Sequence, residues 1–231
     1  MLTKILKTLI GILLIPVAVG TAQAFCANVS SMSVDRGVLH VFERGVLVYV
    51  LFHVLVLRPV YIYVIGHEFV HVLATWLCGG KVVSFNVSPS SGNVLTSKTN
   101  FFIELSPYFV PIYTILLGPV FLLLEAVGKG AAFMSTAFVF LMGVTLAFHF
   151  VMTAEALKLR QSDVRKSGLV FSLIIVFVGN LVIVMLVFCP VFKQLSFVDF
   201  IKSSVSNSGE VYRVTFEKIL KFLDSPRTLI G

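Results

Sequence analysis

The sequence predicts an all-α polytopic membrane protein, a bundle of about 4–5 transmembrane helices with one small β-hairpin. Three observations carry this. Of 231 residues, 58% are hydrophobic and only 13% charged, with a mean hydropathy of +1.00, far from the composition of soluble domains. Several apolar stretches reach the ~20 residues that cross a hydrocarbon layer as a helix. Residues 81–99 alone switch to an alternating apolar and polar pattern, the period of a strand. The net charge of +7 does not indicate nucleic acid, because the basic residues sit in short loops between apolar segments, where they report membrane orientation. Cys26, Cys78 and Cys189 have no metal-ligand spacing, so a cysteine zinc site is excluded.

Residues 1–24 combine Lys4 and Lys7, an apolar run from Leu9, and Ala22-Gln23-Ala24. They read as a secretory signal peptide or as a first transmembrane anchor, the retained anchor being preferred by a small margin. The membrane-embedded core is expected over 25–192, with spans at about 46–78, 105–126, 131–157 and 168–192. Arg58-Pro59 interrupts the first of these and is expected to kink or split it. Gly79-Gly80 ends it. In the hairpin, Val83, Phe85 and Val87 alternate with Ser84, Asn86 and Ser88, and Ser91-Gly92-Asn93 precedes Val94 and Leu95. The span at 105–126 is irregular because it holds Pro107, Pro111 and Gly118-Pro119. Residues 193–231 form a mixed-charge amphipathic tail, expected at the membrane surface.

Basic residues near span ends give the orientation. Lys4, Lys7, Lys81, Lys98, Lys158, Arg160, Arg165 and Lys166 fall on one side, expected to be the cytoplasm. The loop around Lys129 and the tail then face outward.

The chemistry is concentrated at His67-Glu68-Phe69-Val70-His71. Two imidazoles four residues apart project from one face of a helix and can ligate a single metal ion. Glu68, beside them, could take a proton from an attacking water and return it to a leaving amine. Chance places such a pattern in a chain of this composition roughly three times in a thousand. Two histidines and a glutamate at mid-helix depth are also costly in lipid, and such residues are usually functional.

A hydrolytic zinc site has three protein ligands and an open position, so a third ligand is required. His149 lies about nine residues from the predicted end of its span, ~13 Å at 1.5 Å per residue, a depth that matches His67 and His71. Asp163 offers a carboxylate on the same side, but in a basic loop that would have to fold back into the bundle. His149 is preferred and Asp163 is the alternative. Glu155 reads as an interfacial carboxylate, His53 is ~21 Å from His67 along the helix, and His40 lies in a loop.

Gly66-His67-Glu68-Phe69-Val70-His71, then Gly79-Gly80, a hairpin and a helix opening on Ser106-Pro107-Tyr108, resembles the site-2-protease class of intramembrane zinc metalloproteases, closest to its short bacterial members without a PDZ domain. The resemblance covers roughly residues 46–190. It implies a multi-pass protein of the bacterial cytoplasmic membrane, zinc held by His67, His71 and a later acidic ligand, Glu68 as general base, and membrane-protein substrates. Members of the class take the acidic ligand from an Asp-Gly pair in a later helix, and this chain has none; His149 occupies the span where that residue would fall. An unwound substrate segment could add as a strand to the edge of the 81–99 hairpin. Two other functions remain open: a membrane metal-binding or transport protein that does not hydrolyse, and a protease-like scaffold whose site has decayed.

Overall fold

The computed structural model describes residues 2–30, 36–126, 131–159, 162–192 and 194–224. In order, these form helices α1 (Leu2–Leu13), α2 (Ile15–Ser30), α3 (Arg36–Leu55) and α4 (Val60–Leu77), strands β1 (Val82–Val87) and β2 (Gly92–Thr96), α5 (Phe101–Leu105), a 3-10 turn (Ser106–Tyr108), and helices α6 (Ile112–Ala126), α7 (Ala131–Lys158), α8 (Ser162–Ser167), α9 (Leu169–Phe188) and α10 (Phe197–Asp224). Five helical stretches are long and apolar enough to cross a membrane: Ile5–Ser30, Arg36–Leu55, Val60–Leu77, Ser135–Lys158 and Leu169–Phe188. Lys129 and Arg160, used above for orientation, lie outside the described residues.

The expected span at 46–78 is two helices. The residue before a proline is pushed out of helical dihedrals, and α3 ends at Leu55 while α4 restarts at Val60, after Arg58-Pro59. His40, expected in a loop, is part of α3, where its Nδ1 lies 3.1 Å from Glu43 Oε2. Gly79, at φ +66°, stops α4. Its N–H donates to the Trp76 carbonyl and that of Gly80 to Thr75, a Schellman ending that only a left-handed residue completes.

Antiparallel pairing of β1 and β2 sets Phe85 opposite Val94 and Val87 opposite Gly92. The reversal therefore falls at 88–91, closed by Ser88 N–H to the Ser91 carbonyl, and Gly92 and Asn93 belong to the strand.

The irregular segment expected around Pro107 and Pro111 is a break: Phe101–Tyr108 and Ile112–Leu124 meet at 73°. Asn100 caps α5 by accepting from the Ile103 N–H at 2.9 Å. The turn after it buries Leu105 and Tyr108 completely, against Ala156, Val164, Phe171 and Val176. This core is the floor beneath the motif helix.

Close helix crossings hold the described helices together. A Cβ on Gly45 of α3 would lie 2.1 Å from the Phe140 carbonyl oxygen of α7, and one on Gly143 of α7 would lie 2.3 Å from that of Phe42. The tail expected at the membrane surface forms α10, and its first half runs antiparallel along α2: Phe200 stacks edge-on with Phe25, Ser208 meets Gly20, and the Tyr212 hydroxyl donates to the Leu13 carbonyl. Phe200, Ser204 and Ser208 are buried at a spacing of four. Small residues on this face match Gly20 and Ala24 and let the backbones approach. Beyond Tyr212, α10 exposes Phe216, Ile219, Phe222 and Leu223.

Gly143→Leu should force α3 and α7 apart and cost about 1–3 kcal/mol of stability, the usual penalty of overpacking. Chemical unfolding of the detergent-solubilised protein measures it, and an unchanged midpoint would refute the crossing.

Candidate metal centre

Helix α4 presents His67 and His71 one turn apart, with ring centroids 5.0 Å from each other. Their Nε2 atoms converge on a carboxylate of α8: His67 lies 3.9 Å and His71 3.6 Å from Asp163 Oδ2. One ligand atom from each of the three residues falls within a 4.8 Å sphere of mutual distance. Two ligands held tetrahedrally at ~2.0–2.1 Å from one metal sit about 3.3 Å apart, so a small contraction would bring all three onto a single ion. Two imidazoles and a carboxylate, with a fourth side open, is a donor set that zinc accepts, and the residues present fit it.

Of the two candidate third ligands, the alternative, Asp163, is brought to the histidines, while the preferred His149 is not part of this cluster. Depth along α7 left the direction of His149 open, and with His67 it lines a separate small pocket. Asp163 reaches the site because the chain turns inward between α7 and α9. Ser172 of α9 donates to the Val164 carbonyl at 3.0 Å, Ser167 donates to Glu104 of α5, and the wholly buried Tyr108 donates to Asp163 Oδ2 at 3.4 Å. Burial pushes the Asp163 carboxyl up, but the facing imidazoles of His67 and His71 outweigh it and hold the group well below the usual carboxylate range. The outer carboxylate oxygen, Oδ1, lies 3.8 Å from the exposed Lys166 ammonium.

The outer partners of the two histidines differ. His71 Nδ1 lies 2.8 Å from the Ile103 carbonyl, which leaves its Nε2 lone pair free for a metal. Ile103 can serve because its helix breaks just beyond it at Pro107. No sequence pattern flagged Ile103 or Glu104, and Tyr108 entered only as part of the Ser106-Pro107-Tyr108 start, with no role; Pro107 and Pro111 showed where the backbone departs from a helix, not what it contacts.

Glu68 is buried, 7% exposed, under the start of β2: a Cβ on Gly92 would fall 2.3 Å from Glu68 Cγ and 2.6 Å from its Oε1. Only glycine lets the hairpin approach the carboxylate so closely. Beside it opens a cleft of about 610 Å³, lined by His67, Glu68, His71, Asp163 and the strand from Gly92 to Thr96. Glu104 and Lys166 also line the cleft, whereas His53 and Glu155 do not. His53 is bonded to Tyr49 and Glu155 at 3.1 and 3.3 Å, with Arg58 3.5 Å from the same carboxylate. Asn180 donates to the Tyr108 carbonyl at 2.9 Å, so it braces the floor of the site.

Tyr108→Phe removes the outer hydrogen bond to Asp163 without removing a ligand. Metal affinity should fall about 10-fold, as for other outer-shell partners, in a zinc competition titration; unaltered affinity would show that Asp163 is held without it.

No protein-family model, curated protein or solved structure matches this chain.

Proposed function

We propose that this chain is a zinc-dependent endopeptidase embedded in a lipid bilayer, hydrolysing peptide bonds in or next to transmembrane segments of membrane proteins. The observation that carries the reading is the convergence of His67, His71 and Asp163 with Glu68 buried beside them at the wall of an open cleft. Among the described residues five helices are long and apolar enough to cross a membrane, and ionisable residues in a membrane bundle have function as their first explanation.

His67 and His71 Nε2 and one Asp163 oxygen would hold the ion. Zinc bound there supplies Lewis acidity, polarising a peptide carbonyl and making water easier to deprotonate. The Glu68 carboxylate takes the proton from the attacking water and delivers it to the amine nitrogen as the C–N bond breaks. Gly92 packs closely on the Glu68 side chain, which holds the carboxylate at the wall of the cleft. A substrate helix must unwind before its backbone can reach the cleft, and the strand from Gly92 to Thr96, which lines one wall, offers main-chain groups to an extended segment.

Purified wild-type protein should contain about one zinc per chain by elemental analysis. His71→Ala and Asp163→Ala should lose it and His149→Ala should keep the stoichiometry. A folded wild type that stays metal-free after incubation with zinc would end the proposal.

Glu68→Gln should retain zinc and cut turnover of a transmembrane reporter substrate by about 10²–10⁴. Undiminished cleavage would remove Glu68 from the mechanism, and metal transport that survives the substitution would favour a non-hydrolytic metal carrier. Replacing Val94, whose N–H faces away from β1 in the hairpin register, by Pro removes a donor from the free strand edge and should reduce cleavage with zinc still bound.

A further inference from the structure

A histidine that gives its Nε2 lone pair to a metal carries its proton on Nδ1, and that N–H needs an acceptor if the ring is to hold its tautomer and orientation. His71 has the Ile103 carbonyl. His67 Nδ1 is fully buried and meets no acceptor on the protein. A separate pocket of about 10 Å³, whose lining includes Tyr63, His67, Thr145 and His149 among apolar residues such as Val110 and Phe148, has room for one water. His149 is only 6% exposed, and its Nε2 is likewise without a partner, as is the hydroxyl of Tyr63. His149 also neighbours Asn180, and Tyr63 neighbours Thr153, but Asn180 Oδ1 and Thr153 Oγ1 are themselves without a hydrogen-bond partner, so neither contact is a hydrogen bond. Three residues on two helices, each with an unsatisfied buried polar atom, therefore line one small pocket next to the His67 ring.

We infer that a single water occupies this pocket, accepting from His67 Nδ1–H and donating to His149 Nε2, so that His149 is a positioning residue for the metal centre. The Tyr63 hydroxyl provides the third hydrogen bond that a buried water usually has. His149 then does for His67, through water, what the Ile103 carbonyl does for His71 directly. The role explains a buried imidazole at the depth of the metal ligands that does not itself reach the ion. It rests on the metal-site reading proposed above.

The test is zinc titration of the metal-stripped, full-length protein against a chromophoric chelator, in wild type, His149→Phe and His149→Gln. His149→Phe should still bind one zinc but about 10–100-fold more weakly, the range for losing an outer-shell partner. His149→Gln, whose amide oxygen can accept from the water, should recover most of the affinity. The visible bands of the cobalt(II)-substituted protein should change in His149→Phe and return toward wild type in His149→Gln, a response that simple loss of packing would not give. Equal melting temperatures of the metal-free proteins would show that the variants fold. Zinc affinity and cobalt bands unchanged in His149→Phe would overturn the inference and leave the metal site standing. If wild type binds no zinc, the metal reading fails by itself, and ¹⁵N spectra of histidine-labelled apoprotein decide the rest. A slowly exchanging His67 Nδ1 proton that disappears in His149→Phe supports the bridge, and its absence from wild type refutes it.

Discussion

Polar groups brought into an apolar helix bundle have to be satisfied by the protein itself, because hydrocarbon offers neither donors nor acceptors. The arrangement around α4 follows from that requirement. The break between α5 and α6 frees carbonyls that a continuous helix would consume, and these become acceptors: Ile103 for His71 and Tyr108 for Asn180. The Tyr113 hydroxyl in turn donates to the Ile62 carbonyl of α4. Irregular backbone at this depth is tolerable only where it lies against protein or lines a cavity. Here it does both, and the same proline-rich stretch that looks like a flaw in a span supplies the scaffold of the site.

Asp163 is governed by the same constraint from the opposite direction. A carboxylate in a basic loop would normally remain solvated, yet it turns inward because three interactions close around it: the two imidazoles, the Tyr108 hydroxyl, and the ties from α8 to Glu104 and α9. Desolvation works against the charge and the imidazoles repay it. The carboxylate and the histidines thus hold one another in place.

The parts that could be read in the sequence were those that depend on neighbouring residues. Apolar runs marked the long helices, Gly79-Gly80 marked the end of α4, alternation marked the hairpin, and the spacing of His67, Glu68 and His71 put them on one helical face. What could not be read was long-range direction. Depth along a helix was computable for His149, but its azimuth depends on how α7 crosses α3, which is set by the reciprocal close approach at Gly45 and Gly143. Inward folding of Asp163 depends on Ser167, Ser172 and Tyr108, residues with no signature of their own. In α10 the charged pattern concealed a spacing-of-four face of Phe200, Ser204 and Ser208, which packs against α2.

The antiparallel pairing of α10 with α2 joins segments from the two ends of the described chain. During synthesis α2 emerges long before its companion exists, since everything from Ser30 to Phe197 must be made first. At ordinary translation speeds that interval is roughly 10–30 s. Throughout it, the small-residue face around Gly20 and Ala24 is bare, open to lipid, to the insertion machinery or to another newly made helix. Assembly of this protein therefore has a vulnerable period built into its topology, which ends only when α10 arrives.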